Sequence, residues 1–354
     1  MKIDDIAKLA NVSKSAVSLA LNGKKGVSAE TRKKIIEIAH SHGYITRPLL
    51  NEPMKEASSK LLRLVVSINA GIVTEQYDTL PFFTEFIHSL DKTTGSKGYS
   101  LIVSPVRIES MFEDIRRLEF EQKSAGILFL GTNLTKEHMN IIPTLHSNMI
   151  VLDTCFPSTG VNFIVMNNEL GAHQAVQHLL NLGHTTIGYV ESTTRMYNFE
   201  MRKKAFLQAL ADQDLQISKQ NFFHLPPTDI TSQKQFEKEL AGRNDLPTAL
   251  FCECDYMAIS TIKSITNVGL RVPDDISVVG FDNIFESKVV TPELTTIHVK
   301  KDKIASLAVE KLIRANENEE ENDTLKILVD TELVIRESSA LLVNSQQTHQ
   351  QGQG

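Results

Sequence analysis

Short apolar runs alternate with stretches of helical period from Leu61 to Phe281, and few folds accept that rhythm. The runs are Leu61–Ile68, Leu101–Val103, Ile127–Leu130 and Met149–Leu152, then Phe163–Met166, Thr186–Val190, Ala249–Cys252 and Ile276–Phe281. Helical patterns fill the spaces at 82–97, 110–123, 135–146, 168–182, 199–212, 232–241 and 256–268. A strand without polar alternation must be covered on both faces, which is the situation of a parallel strand packed between helices. The pattern predicts doubly wound α/β architecture with strands enough for two sheets. Such sheets take ligands at the carboxyl ends of their strands, and a second lobe facing the first makes a cleft there. The 354 residues amount to two or three domains, at ~150 residues each.

Composition and motifs remove several classes. With 41% apolar and 23% charged residues the chain is neither disordered nor fibrous. No apolar run approaches the ~18 residues a membrane span needs. Asp4, Asp5, Lys8 and Lys14 break up the amino terminus where a secretory signal needs an apolar stretch. Three cysteines (Cys155, Cys252 and Cys254) cannot build a disulfide framework, so a cytoplasmic location is expected. No G-x-G-x-x-G follows a strand, no Walker or G-x-S-x-G sequence occurs, and no second pair at zinc spacing accompanies Cys252 and Cys254. No catalytic residue, metal or cofactor is expected.

The first forty-six residues behave differently. They hold eight Lys/Arg against four Asp/Glu, a net +4, whereas the remainder carries −10. A basic head on an acidic body suits a polyanion-binding module joined to something that binds no polyanion. Ile3, Ile6, Ala7 and Ala10 repeat at helical spacing. Ser13 is a suitable N-cap for a second helix from Lys14 to about Leu21, which Asn22-Gly23 would end. Ser28 caps a third, striped by Ile35, Ile36, Ile38 and Ala39. Two short helices joined by a tight turn, with a third packed across them, make a helix-turn-helix. The outer face of its second helix is short and polar (Lys14, Ser15, Ser18), as close approach to a major groove requires. A small helical bundle for protein contacts would show the same pattern.

The residues themselves narrow the choice. IDDIAKLANVSKSAVSLALNGKKGVSAETRKKIIEIAHSHGY resembles the DNA-binding headpiece of the lactose/galactose repressor family of bacterial transcription regulators, notably at Ala7, Ala10, Val12-Ser13, Val17-Ser18, Asn22-Gly23, Val27-Ser28 and Thr31-Arg32. The core resembles the effector-binding core of the same family, itself similar to periplasmic sugar-binding proteins. The telling stretches are Pro81-Phe82-Phe83, Asn181 to Gly188, Asp255-x-Met257-Ala258, Val272 to Asn283 and Thr291 to Ile297.

The resemblance implies a helix-turn-helix headpiece (1–46), a hinge (47–60), and a core of two doubly wound parallel-sheet lobes. The lobes would comprise 61–158 with 290–322, and 159–289 with 323–340, the chain crossing near 158, 289 and 322. Residues 341–354 turn polar and are expected to be disordered. Lys14, Ser15 and Ser18 fall where the family reads bases and phosphates, and Ser13, Asn22, Ser28 and Thr31 where it holds phosphates. Tyr44, near the end of the headpiece, is also expected at the DNA. Leu19 replaces an arginine of many members and can offer a base only an apolar contact. Pro53 stands where a minor-groove leucine is expected, leaving Leu49 or Leu50 for that task. In the core, Asp282, Arg202, Asp153 and Phe83 match effector-contacting positions, and Asn198 is a further polar candidate. Ala205 replaces the family's usual glycine after that arginine.

The expected protein is thus an effector-responsive regulator, a repressor of sugar uptake or catabolism genes. It would bind a pseudopalindromic double-stranded DNA operator as a homodimer, with a sugar or sugar phosphate in its cleft and no membrane partner. A nucleobase or nucleoside effector, a protein corepressor, and a ligand-binding protein without DNA function are the alternatives.

Overall fold

The computed structural model describes residues 3–21, 26–41, 60–69, 71–317 and 323–342. They fall into two compact units, one within residues 1–58 and one within 59–354. The first contains α1 (Ile3–Ala10), α2 (Lys14–Leu21) and α3 (Ala29–Ser41). Ile6, Ala7 and Ala10, Val17, Ala20 and Leu21, and Ile35 and Ala39 form its core, one set from each helix. The turn between α1 and α2 places Asn11 at φ 56°, a left-handed conformation asparagine tolerates. Ser13 Oγ accepts from the Ala16 N–H at 3.1 Å, and Ser28 Oγ accepts from the Thr31 N–H at 3.2 Å. These are the two expected N-caps, each contributing ~1 kcal/mol. Asn22, Tyr44, Pro48, Leu49, Leu50 and Pro53 lie outside the described residues, as does the expected tail beyond residue 342.

The second unit runs β1 (Leu61–Ile68), α4 (Pro81–Ser96), β2 (Ser100–Arg107), α5 (Met111–Glu121), β3 (Gly126–Leu130), β4 (Met149–Leu152), β5 (Asn162–Met166) and α6 (Asn168–Asn181). It continues with β6 (Ile187–Ser192), α7 (Tyr197–Ala211), β7 (Phe222–Leu225), α8 (Lys234–Ala241), β8 (Ala249–Cys252), α9 (Asp255–Asn267) and β9 (Ser277–Asp282). The last elements are β10 (Thr295–His298), α10 (Lys301–Asn316), β11 (Lys326–Val329) and β12 (Glu332–Val334). The strands make two sheets, β11-β5-β4-β3-β1-β2 and β12-β10-β9-β8-β6-β7. All pairs are parallel except β12, which runs antiparallel to β10. The two-lobed α/β architecture is the one the alternation predicts.

Three expectations are corrected. First, the crossings do not lie near 158, 289 and 322. The strand β5, expected in the second lobe, belongs to the first sheet: Asn162, Phe163 and Ile164 pair in register with Ile150, Val151 and Leu152. The chain therefore leaves the first lobe only at Asn167, whose Oδ1 accepts from the Leu170 N–H at 3.1 Å and caps α6. It stays in the second lobe through β10, which lies beside β9, and returns just before α10, which packs on α4. The third crossing falls between β11 and β12, at Asp330-Thr331.

The second correction concerns 135–146, which is not an α-helix but holds two 3₁₀ turns, His138–Asn140 and Ile142–Thr144. His138 Nδ1 accepts from the Thr135 N–H at 3.0 Å, and Pro143 has no N–H to continue a ladder. Third, β7, β10, α10, β11 and β12 have no counterpart in the sequence pattern, their apolar runs being short or broken by polar residues. Ala205 lies inside α7.

Gly171 on α6 is a close-packing point. A Cβ there would sit 2.5 Å and 2.7 Å from the Phe281 ring and 2.9 Å from Ile297 Cγ2. Gly171→Ala is expected to destabilise the core by about 1–3 kcal/mol through overpacking. Thermal denaturation checks this, and an unchanged melting temperature would show that the ring has room to yield.

Candidate functional site

On the first unit, α2 presents Lys14 and Ser15 to solvent, preceded by the exposed Ser13, while Ser18 is half-buried. The Lys14 ammonium pairs with Asp4 on α1 at 2.6 Å, both side chains being largely exposed. An ion pair of this kind contributes little to stability, and a phosphate can replace the carboxylate. Leu19 is half-buried, and its Cδ1 lies 3.3 Å from where a Cβ on Gly26 would stand. Its position is thus partly a packing one. Ser28 and Thr31 bond to each other at the start of α3, their hydroxyls 2.8 Å apart.

In the second unit, Phe83, Asp153, Asn198, Arg202 and Asp282 converge on one cavity between the lobes. The fold explains the convergence. Asp153 follows β4 in the first lobe, Asp282 ends β9 in the second, and Asn198 and Arg202 stand one turn apart on α7. Asp153, Asp282 and Asn283 have φ of 62°, 117° and 53°, so the backbone is held in sparsely populated conformations at both strand ends.

Arg202, 2% exposed, donates from Nε to Asn168 Oδ1 at 2.9 Å, from Nη1 to the Glu253 carbonyl, and from Nη2 to Asp282 Oδ1 at 3.3 Å. Its guanidinium lies 3.6 Å from the Phe281 ring centroid, a cation–π contact. Asn198 donates across the cleft to the Asp153 carbonyl at 3.0 Å and to its Oδ1 at 2.8 Å, while Thr132 donates to Oδ2. The Phe82 N–H donates to the Tyr256 hydroxyl at 2.9 Å, and the Phe285 N–H to Glu85 Oε1 at 3.2 Å. The cavity measures about 30 Å³, room for only a few waters. Ligand pockets run to ~300–1,000 Å³, so the lobes stand closed and must part to admit a small molecule. A larger groove of about 920 Å³ follows the outer edge of β2 against α5, but Arg63, Arg107 and Arg117 there are already paired with Glu119, Glu75 and Asp114.

Comparison with known proteins decides the family. The pattern of bacterial regulatory proteins of the lacI family matches residues 2–47, and that of a periplasmic binding protein-like domain matches 176–339. A probable HTH-type transcriptional repressor, ExuR of Bacillus subtilis (strain 168), is 30% identical over 95% of this chain and 97% of its own. The chain belongs to the lacI family. Among solved structures, the lac repressor dimer bound to operator and an anti-inducer superposes with a TM-score of 0.70 at 23% identity, over 96% of this chain and 99% of that one. The transcriptional regulator CelR in complex with cellobiose gives 0.67 at 20% identity, over 96% and 100%. Among the described residues of this lacI-family chain, no helix is long and apolar enough to cross a membrane.

Several residues in this lacI-family cleft or just behind its lining escaped sequence reasoning. Tyr256 and Asp255 follow β8, Thr132 follows β3, and Asn168 opens α6. All lie at the carboxyl ends of strands or just beyond, which is the signal that marks them. Lys301 bridges Glu85 at 3.0 Å and the Asp282 carbonyl at 3.3 Å. Asp255, fully buried, accepts from the Ile284 N–H at 2.9 Å and from Thr296 Oγ1.

Burial, with Asp282 adding to it, pushes Asp255 up from 3.8 to about 8. Burial likewise raises Asp153 and Asp282 to about 6. A carboxyl whose folded pKa is raised holds a proton that the unfolded chain has released, so stability falls as pH rises through that window. Between about pH 6.5 and 8 the slope from these three comes mainly from Asp255. His178, His184 and His298, held below 6.5 by burial, act in the opposite sense only beneath that pH. The melting temperature is expected to fall across that interval, and to fall less in Asp255→Asn. Equal slopes in both proteins would exclude Asp255 as the titrating group.

Proposed function

We propose that this lacI-family chain represses transcription by binding a pseudopalindromic operator as a homodimer, and that a small molecule in the cleft controls that binding. The observation that carries the reading is the convergence of Phe83, Asp153, Asn198, Arg202 and Asp282 on one interlobe cavity in a chain with a helix-turn-helix unit. On the DNA side, Ser13, Lys14, Ser15, Ser18, Ser28 and Thr31 are the proposed contacts, with Leu19 contributing mainly by packing. The cytoplasm is the proposed location.

The mechanism is a difference in affinity. Bonds such as Asn198 to Asp153 and Phe82 to Tyr256 join the two lobes and hold this arrangement. A molecule favouring one arrangement a hundredfold shifts the equilibrium by ~2.7 kcal/mol. A sugar is the first choice, supported by the cellobiose held by CelR; carboxylates, an arginine and aromatic walls suit a polyhydroxylated ring.

A thermal-shift screen against sugars, nucleosides and nucleobases tests the reading. Occupancy at a hundred times the dissociation constant adds ~2.7 kcal/mol of stability. A sugar hit supports carbon-source control, a nucleobase hit replaces the sugar, and silence moves the effector role away from the cleft.

A further inference from the structure

The charges lining the cleft are unequal. Two carboxylates, Asp153 and Asp282, face one guanidinium, Arg202. Neighbouring charges do not restore the balance. The Lys301 ammonium is paired with Glu85 at 3.0 Å, and Arg195 is paired with the buried Glu253 at 2.7 Å. Asp255, buried behind Asp282 and pushed up to about 8 by burial, holds a proton at neutral pH and does not enter the balance.

The hydrogen bonds are unequal in the same direction. All three nitrogens of Arg202 donate to protein, and the Asn198 amide is engaged by Asp153. Asp282 Oδ2, by contrast, receives no hydrogen bond among the described residues, only Oδ1 being engaged. The cationic and amide donors of the cleft are thus committed to protein, the uncharged Tyr256 hydroxyl is free to donate, and Asp282 Oδ2 stands open as an acceptor. An anion entering it would have to displace Asp282 from Arg202 and then face two carboxylates at low dielectric.

We infer that the cleft takes an uncharged or cationic molecule rich in hydrogen-bond donors, bridging Asp153 of the first lobe to Asp282 of the second, and rejects phosphorylated or carboxylated ones. This rests on the cleft being the effector site, and it separates free sugars from sugar phosphates. Donors at two edges of one molecule would satisfy both carboxylates together and hold the lobes closed.

The test is calorimetry and thermal shift on the full chain with matched compounds: glucose, glucose 6-phosphate and glucuronate; cellobiose and cellobionate; adenosine and its 5′-monophosphate. Each compound that binds is expected to be uncharged or cationic, its anionic counterpart binding at least a hundredfold more weakly. In Asp153→Asn that gap should narrow tenfold or more. An anionic member binding as tightly as its neutral counterpart to the unaltered protein overturns the inference alone. Binding by no member overturns the effector reading of the cleft and the inference with it.

Discussion

Asp282→Ala is expected to abolish the response to the effector while operator binding survives. The carboxylate is buried at the end of β9, accepts from Arg202 and lines the interlobe cavity. Its loss removes the second-lobe acceptor for a bound molecule. An affinity loss of a hundredfold or more, ~2.7 kcal/mol, is expected for whichever compound the screen identifies. Arg202 keeps Asn168 and the Glu253 carbonyl, so its side chain stays ordered. The headpiece core of Ile6, Val17 and Ile35 contains no residue of the cleft. In cells the variant should leave operator occupancy unchanged whether or not the effector is supplied. Because φ at this position is 117°, alanine adds backbone strain, and Asp282→Asn separates that strain from loss of charge. Calorimetry showing undiminished effector affinity in both variants would remove Asp282 from the site.

Lys14→Ala is the second large effect. Its ammonium is exposed on the first turn of α2 and is neutralised by Asp4 at 2.6 Å. A phosphate contact made by this lysine releases one counterion from DNA, so its removal should lower the salt slope by about 1 and weaken all sequences alike. At low salt an affinity loss of roughly tenfold is expected. Asp4→Asn should act in the opposite direction, since the lysine then loses that internal competitor. Titrations of a selected operator at several salt concentrations decide both, and an unchanged slope in Lys14→Ala would place that residue away from the phosphates.

The parts of this structure that are legible in the sequence are those where one local rule suffices. Leu61–Ile68, Met149–Leu152 and Ala249–Cys252 are strands with the predicted ends, because central parallel strands are covered on both faces and read as unbroken apolar runs. Ser13 and Ser28 cap their helices through side chains that reach only three residues. The crossings are not legible, because pairing rather than composition assigns Phe163 to the first sheet and Ile297 to the second. Four of the five cleft residues came from resemblance, with Asn198 a polar candidate beside them. Tyr256, Thr132 and Lys301 did not, since each matters through a partner more than fifteen residues away. The 3₁₀ turns near Pro143 show an apolar period realised by a tighter coil than the α-helix.

The three crossings have a consequence for biosynthesis. The first sheet is finished only by Lys326–Val329 beside β5, and the second only by Glu332–Val334 beside β10. Neither lobe is a continuous piece of chain that can complete itself as it leaves the ribosome. At about 5–20 residues per second, β5 waits roughly ten to thirty seconds for its outer neighbour. Its exposed edge is open to other chains throughout that interval. A nascent polypeptide stalled before residue 326 would carry a finished DNA-binding unit and two unfinished lobes, able to find DNA before it is able to be regulated.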